Sequence, residues 1–170
     1  MPGRKSVTVS FVKAKTRDLK ACIDITMASI LGENYFSRDV AEGILAEGIA
    51  EKQVMVAKTK SGEIVGFYRL VLDGFCLVFA YINVLAVKTE YRGYGIGTKL
   101  ITEAEREILH EKGYPFIKKS FLLVGKTNRK ALRFYESNGY KRSSSLPNLF
   151  SEGDTEYLMM KELGEGTWKG

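Results

Sequence analysis

In Arg92-Gly93-Tyr94-Gly95-Ile96-Gly97-Thr98, glycine recurs at every second position, between an apolar run ending at Val87 and an amphipathic segment beginning near Thr98. Backbone nearly bare of side chains at the start of a helix is a socket for an anion. The first N–H groups of a helix have no partner within it, and the dipole is positive at that end. Tyr91 and Arg92 lead into the loop, and Lys88 and Lys99 flank it, so the socket is also cationic. The chemistry these residues favour is recognition of a phosphate or diphosphate.

Two other phosphate loops fail to account for the pattern. A dinucleotide fingerprint requires its glycine turn after an early strand and an acidic residue about 20 positions later. This loop comes after roughly half the chain, with different glycine spacing. Gly125-Lys126-Thr127 resembles the end of a P-loop, but the glycine required five positions earlier is Ser120.

Leu85-Ala86-Val87 followed by Tyr91-Arg92-Gly93-Tyr94-Gly95-Ile96-Gly97 resembles the acetyl-CoA-binding core of the GNAT acyltransferases (Gcn5-related N-acetyltransferases). About 30 residues on, Asn128-Arg129-Lys130-Ala131-Leu132-Arg133-Phe134-Tyr135-Glu136-Ser137-Asn138-Gly139-Tyr140 is similar to that family's second segment. Tyr157-Leu158-Met159-Met160-Lys161-Glu162-Leu163 is similar to its last strand. The pieces stand in the family's order and cover the C-terminal half well; the first 75 residues match only in general pattern. The resemblance implies an α/β (α+β) GNAT fold: a mixed, mostly antiparallel sheet of about seven strands, about four helices on both faces, and a splayed acetyl-CoA-binding cleft.

The elements that must position these residues are readable from periodicity. Val7, Val9 and Phe11 alternate as a first strand. A helix is expected from Arg17 to about Ile30, capped by Thr16, with Leu19, Ile23, Met27 and Ile30 on one face. A second is expected from Arg38 to Leu45, started by Ser37 and interrupted by Gly43. Gln53 to Lys58 reads as a strand, Lys60 to Glu63 as a turn, and Ile64 to about Leu72 as a long strand. Asp73-Gly74 is a hairpin signal, so Phe75 to Val87 should pair antiparallel with it. Thr98–Lys112 places Leu100, Ile101, Ala104, Ile108 and Leu109 on one face and ends at Gly113. A strand from Phe116 to Val124, a helix from Asn128 to Asn138 with Gly139 as its C-cap, and strands from Tyr140 and over Thr155–Leu163 complete the order. Ser143–Asp154 reads as a flexible loop. Residues 6–163 are expected to form one domain, with 164–170 a flexible tail in which Trp168 alone could dock.

If the resemblance holds, backbone groups at Leu85, Ala86 and Val87 hold the pantetheine arm as an added strand would. Arg92, Gly93, Tyr94, Gly95, Ile96, Gly97 and Thr98 take the diphosphate, and Lys88 adds charge. Asn128 contacts pantetheine, and Lys130 or Arg133 reaches the ribose phosphate. Tyr135 matches the family's general acid near the cofactor sulfur, and the Val87 amide or a neighbour polarises the thioester carbonyl. Its alternative role is that of a packed aromatic beside Phe134. The general base stays open. Some members carry a glutamate about four residues before the position of Ala86, and Tyr81-Ile82-Asn83 here has no carboxylate. Water relayed through Tyr81 or Asn83, or else Glu33, is the candidate.

Composition sets the outer bounds. At 170 residues, 45 % hydrophobic and 27 % charged, the chain can bury a core as one domain. Phe75 to Val87 is too short for a membrane-spanning helix, and Met1 to Lys15 lacks the apolar core of a secretory signal, so cytoplasmic residence is the expectation. Cys22 and Cys76 stand in apolar surroundings and read as buried thiols; His110 reads as structural, and no metal is expected. The net charge is +6, with no basic–aromatic stripe, so nucleic acid is not the expected partner. Residues 32–51 carry five acidic side chains against Arg38, which reads as a solvated face or as a surface suiting a cationic acceptor. Three functions are thus weighed. The first is an acetyl-CoA-dependent N-acetyltransferase acting on a protein N-terminus, lysine, polyamine or other small amine. The others are a non-catalytic acyl-CoA sensor or scaffold, and a basic nucleic-acid module. The Phe- and Tyr-rich strands leave room for a sheet-mediated homodimer.

Overall fold

The computed structural model describes residues 7–75, 79–112 and 117–164. In chain order the elements are β1 (Val9–Lys13), α1 (Leu19–Met27), α2 (Ile30–Asn34), α3 (Arg38–Ala50), β2 (Val54–Thr59), β3 (Ile64–Phe75), β4 (Phe79–Val87), α4 (Ile96–His110), β5 (Lys119–Gly125), α5 (Arg129–Ser137), β6 (Lys141–Pro147) and β7 (Thr155–Glu162). Single 3-10 turns at Thr16–Asp18 and Thr89–Tyr91 precede α1 and follow β4. The strands form a seven-stranded sheet of order β1-β2-β3-β4-β5-β7-β6. β1–β2, β2–β3, β5–β7 and β6–β7 are antiparallel, and β4–β5 is parallel through Ala80↔Ser120 and Tyr81↔Phe121. The expected mixed, mostly antiparallel α/β architecture is therefore present, with five α-helices among the described residues. No helix among the described residues is long and apolar enough to cross a membrane.

The chain divides into two compact units, one made of the chain up to Leu70 with Val84–Glu103, the other of Val71–Asn83 with everything from Ala104. In the first unit Cys22, Ile23 and Ile25 of α1, Leu45 and Ile49 of α3, and Val54, Val56, Phe67, Val84 and Ala86 of the strands form one core. The helix expected over Arg17–Ile30 is broken. Thr26 donates its hydroxyl to the Cys22 carbonyl (2.8 Å), and Ser29 donates to the Thr26 carbonyl (2.7 Å) while accepting from the Leu31 amide (3.2 Å). Hydroxyls offering such local bonds compete with the helix ladder, so α1 stops and α2 starts at Ser29. Thr16 lies in the 3-10 turn and does not cap α1. Ser37 does cap α3, accepting from the Val40 amide at 3.3 Å. Gly43 does not interrupt that helix: it is exposed, and Ala41, Leu45 and Ile49 carry the buried face.

In the second unit β5 pairs along its whole length with β7, from Lys119↔Glu162 to Gly125↔Glu156. Two expectations are corrected here. Ser143–Pro147 is strand rather than loop, paired with β7 from Lys141↔Met160 to Pro147↔Thr155. β6 closes one side of the sheet and is almost wholly exposed, so a polar sequence suits it and hides it from a hydrophobic pattern. β3 runs through Asp73-Gly74 to Phe75, so the hairpin turn does not lie at that dipeptide. Cys76, Gly113, Phe116 and Trp168 fall outside the described residues. Cys22 is fully buried, and burial, with the Asp18 charge beside it, pushes its thiol up to about 12.

Asp18 joins the first unit's helical layer to its strands. Its carboxylate accepts from the Lys15 amide (2.9 Å) and from Lys58 Nζ of β2 (2.9 Å), with the two side chains 7 % and 19 % exposed. Burial alone would raise its pKa; the amide and the ammonium outweigh burial and hold it below the ordinary range. Asp18→Asn should lose about 1–3 kcal/mol at neutral pH. A depressed carboxyl contributes fully above its unfolded value, about 3.9, and loses that contribution as pH falls through the folded value. Urea midpoints of wild type and variant should therefore converge below about pH 4; a gap undiminished at pH 2 would assign the loss to packing.

Candidate functional site

The glycine loop is built by its two ends. Ile96, 1 % exposed, and Leu100, fully buried, anchor the first turn of α4 in the first unit's interior. The helix starts at Ile96, two residues earlier than expected, and its first ladder bond runs from the Lys99 amide to the Gly95 carbonyl at 3.1 Å. The amides of Ile96, Gly97 and Thr98 consequently precede the ladder and have no helical acceptor. Gly93 and Gly95 adopt φ of +83° and +78°, which other residues reach only with strain, and nothing lies within 4 Å of where their Cβ atoms would stand. The loop is an open turn of backbone leading into donors with no acceptor among the described residues, with Arg92, Gly93, Gly95 and Thr98 exposed and Tyr94 and Gly97 half-buried.

The preceding strand presents its backbone in alternation. The Lys88 amide donates to the Val65 carbonyl of β3 at 2.9 Å, and the Ala86 carbonyl lies where a Cβ on Gly66 would meet it at 2.9 Å. Ala86 and Lys88 thus aim at β3, so the backbone groups of Leu85 and Val87 point away from it. The Val87 carbonyl accepts from Arg92 Nε at 3.1 Å. Sequence reasoning missed that contact because it is made between a side chain and a main-chain atom.

The flanking cations are engaged. Lys88 pairs with Glu63 (2.6 Å) and Glu90 (3.8 Å), and Lys99 donates to the Val7 carbonyl (2.8 Å). Glu63 also accepts from the Tyr91 hydroxyl at 2.6 Å. Hydrogen bonds from Lys88 and Tyr91 hold the Glu63 carboxyl low, and Glu63 in turn raises both the Lys88 ammonium and the Tyr91 phenol. Glu63 has no motif to announce it; only tertiary pairing reveals it. In the acidic segment Glu47 bonds Arg69 (2.9 Å), while Glu33, Asp39, Glu42 and Glu51 are exposed.

In the second unit Asn128 caps α5, its Oδ1 accepting from the Ala131 amide at 3.1 Å, with Lys130 exposed in the first turn. Tyr135 is half-buried and packs edge-on against Phe134 (5.1 Å between centroids) and Tyr140 (5.9 Å). Burial first, then the neighbouring Tyr81, drives its phenol well above the ordinary range, so it keeps its proton at neutral pH. Tyr140 is the contrast: its hydroxyl, 2.9 Å from Ser120 Oγ, is locked in the interior, with Lys161 over its ring and paired to Glu105 at 2.8 Å.

Residues 50–142 match the model of the acetyltransferase (GNAT) domain, a span that includes β2, β3, β4, the glycine loop and α5. The chain belongs to the GNAT family. Over 101 residues it is 34 % identical to an uncharacterised N-acetyltransferase of Methanocaldococcus jannaschii, covering 59 % of this chain and 61 % of that protein. The match thus spans about three-fifths of the relative's length. Among solved structures, Ard1 from Thermoplasma volcanium superposes with a TM-score of 0.78 at 22 % identity, over 94 % of this chain and all of the other. A chain of the NatC complex bound to Gag peptide and CoA gives 0.73 at 21 %, over 92 % and 99 %. These likenesses establish a GNAT fold.

Gly95→Val places a branched side chain at positive φ in front of the loop amides. It should weaken CoA binding by about tenfold or more while costing the fold about 1–2 kcal/mol. Calorimetric titration with CoA beside a thermal melt checks both, and unchanged affinity would remove the loop from the cofactor site.

Proposed function

We propose that residues 6–163 act as one cytoplasmic N-acetyltransferase domain that moves an acetyl group from acetyl-CoA to a primary amine by direct attack, with Tyr135 as general acid. The observation that carries this reading is the Arg92–Thr98 loop: left-handed glycines opening onto the orphan amides of α4 directly after β4. Those amides and the Arg92 guanidinium fit a diphosphate, since amides at a helix start and a fixed cation favour the same charge. The Leu85 and Val87 backbone fits the amide-bearing arm, once Arg92 Nε yields the Val87 carbonyl. Asn128 keeps its side-chain NH2 for the same arm while its oxygen caps α5, and Lys130 is exposed for the ribose phosphate.

Bound acetyl-CoA would supply an acyl group already activated as a thioester. The chain's own residues must orient it, exclude competing water and manage protons. Tyr135 Oη, protonated through neutral pH, has a proton to offer the departing sulfur, and burial makes it a weaker acid than a free phenol until the thiolate's charge develops beside it. The accepting amine must be neutral to attack. An α-amine with a pKa near 8 is closer to that state than a lysine near 10.4, which favours a protein or peptide N-terminus among the acceptors. Tyr81 and Asn83, both half-buried on β4, are suited to hold a relaying water, and Glu33 in the first turn of α2 is exposed for the alternative role of base.

Acetyl-CoA turnover, followed by thiol release against peptides with free N-termini, lysine peptides and polyamines, tests the reading. Release with one amine class establishes the activity and names the acceptor. Tight CoA binding without release would point to the acyl-CoA sensor instead. In the active system Tyr135→Phe should lower kcat about 10²-fold with CoA affinity little changed; near-normal turnover would return Tyr135 to a packing role.

A further inference from the structure

Glu63 stands in the turn between β2 and β3, outside every motif of the chain. Its carboxylate is nevertheless divided between the residue that precedes the 3-10 turn leading from β4 to the glycines and the residue that ends it. Oε1 lies 2.6 Å from Lys88 Nζ, and Oε2 accepts from the Tyr91 hydroxyl at 2.6 Å. Glu63 is itself held, its carbonyl accepting from the Thr59 amide (2.9 Å) and its amide donating to Thr59 Oγ1 (3.2 Å). The 3-10 turn is closed by Tyr91 N–H to the Lys88 carbonyl (2.9 Å) and Arg92 N–H to the Thr89 carbonyl (3.2 Å). At the far end of the loop Ile96 is anchored by burial. Gly93 and Gly95 therefore hang between two fixed points, and Glu63 makes the first.

We infer that Glu63 is a positioning residue for the anion loop. By holding Lys88 and Tyr91 it fixes where the Arg92–Thr98 backbone sets out, so the loop amides stand ready for the diphosphate of CoA; this rests on the function proposed above. Charge and geometry make opposite demands at this position. As a charge, Glu63 repels an anion at the loop and withholds Lys88 from it, so its removal should tighten binding. As a clamp, its removal should weaken binding. Glycines lose more conformational freedom on ordering than any other residue, and order absent beforehand adds to the cost of binding. The geometry favours the clamp, because both carboxylate oxygens are committed and the hydroxyl–carboxylate bond is of the strong, charge-assisted kind. The turn's own backbone bonds then pass that restraint on to Arg92.

The test is CoA affinity by calorimetry on wild type, Glu63→Ala, Glu63→Gln and Tyr91→Phe, paired with amide hydrogen exchange of the ligand-free proteins. Glu63→Ala should weaken CoA binding about tenfold and speed exchange across residues 92–98. Tyr91→Phe, which deletes one oxygen at the other side of the same contact, should move both readouts the same way and less far. Glu63→Gln, whose amide oxygen still accepts from Tyr91, should recover part of the affinity. Unchanged or tighter binding by Glu63→Ala would overturn the inference and leave Glu63 a surface charge. Should wild type itself fail to bind CoA, the functional reading falls, and exchange alone decides the clamp: faster exchange in Glu63→Ala upholds it, unchanged exchange overturns it.

Discussion

An α-helix cannot satisfy the first amides of its own backbone, and the first unit of this protein is arranged around where that deficit falls. Ile96 and Leu100 sink the opening turn of α4 into the interior, which fixes the helix axis and leaves its unsatisfied donors at the loop. Gly93 and Gly95 let the chain arrive without placing side chains in front of those donors. β4 delivers the loop, and Lys88, the residue directly after it, is held to β3 through its amide. Moving the buried pair by one residue would turn the donors elsewhere, and the loop would have nothing to serve.

The two conspicuous tyrosines of the second unit show how similar side chains acquire different capacities. Burial raises the phenol of each. Tyr140 spends its hydroxyl on Ser120 inside the fold and receives Lys161 over its ring, so it ties α5's exit to β5 and β7. Tyr135 remains partly accessible and contacts its neighbours through ring edges. The distinction is one of surroundings and not of residue type, which is why a motif can nominate a tyrosine but only packing can sort its role.

What was legible in the sequence was whatever depends on local chemistry. The glycine loop, the Ser37 start of α3 and the alternation along β1 are each written in a few adjacent residues. What was hidden depends on partners far along the chain or on the absence of a burial signal. Ser29 divides a helix that apolar spacing alone would continue. β6 carries a serine-rich sequence because a strand needs backbone partners more than it needs apolar side chains. Glu63 meets Tyr91 across 28 positions, and Arg92 meets a carbonyl that no side-chain pattern encodes. The family's order of segments bridged part of that gap by supplying a topology that periodicity cannot.

Gly66 limits which substitutions this part of the core can accept. A methyl group there would meet the Ala86 carbonyl oxygen at 2.9 Å and Leu100 Cδ1 at 3.1 Å. The leucine could be trimmed by a second substitution, but the oxygen belongs to the main chain and no codon change removes it. Most crowded positions in a core offer a stepwise escape, in which one side chain shrinks so that another can grow. Gly66 offers none, since relief would require two strands to part together. The residue thus lets β3 and β4 stand this close, and a side chain placed there would have to move main chain and not merely a neighbouring side chain.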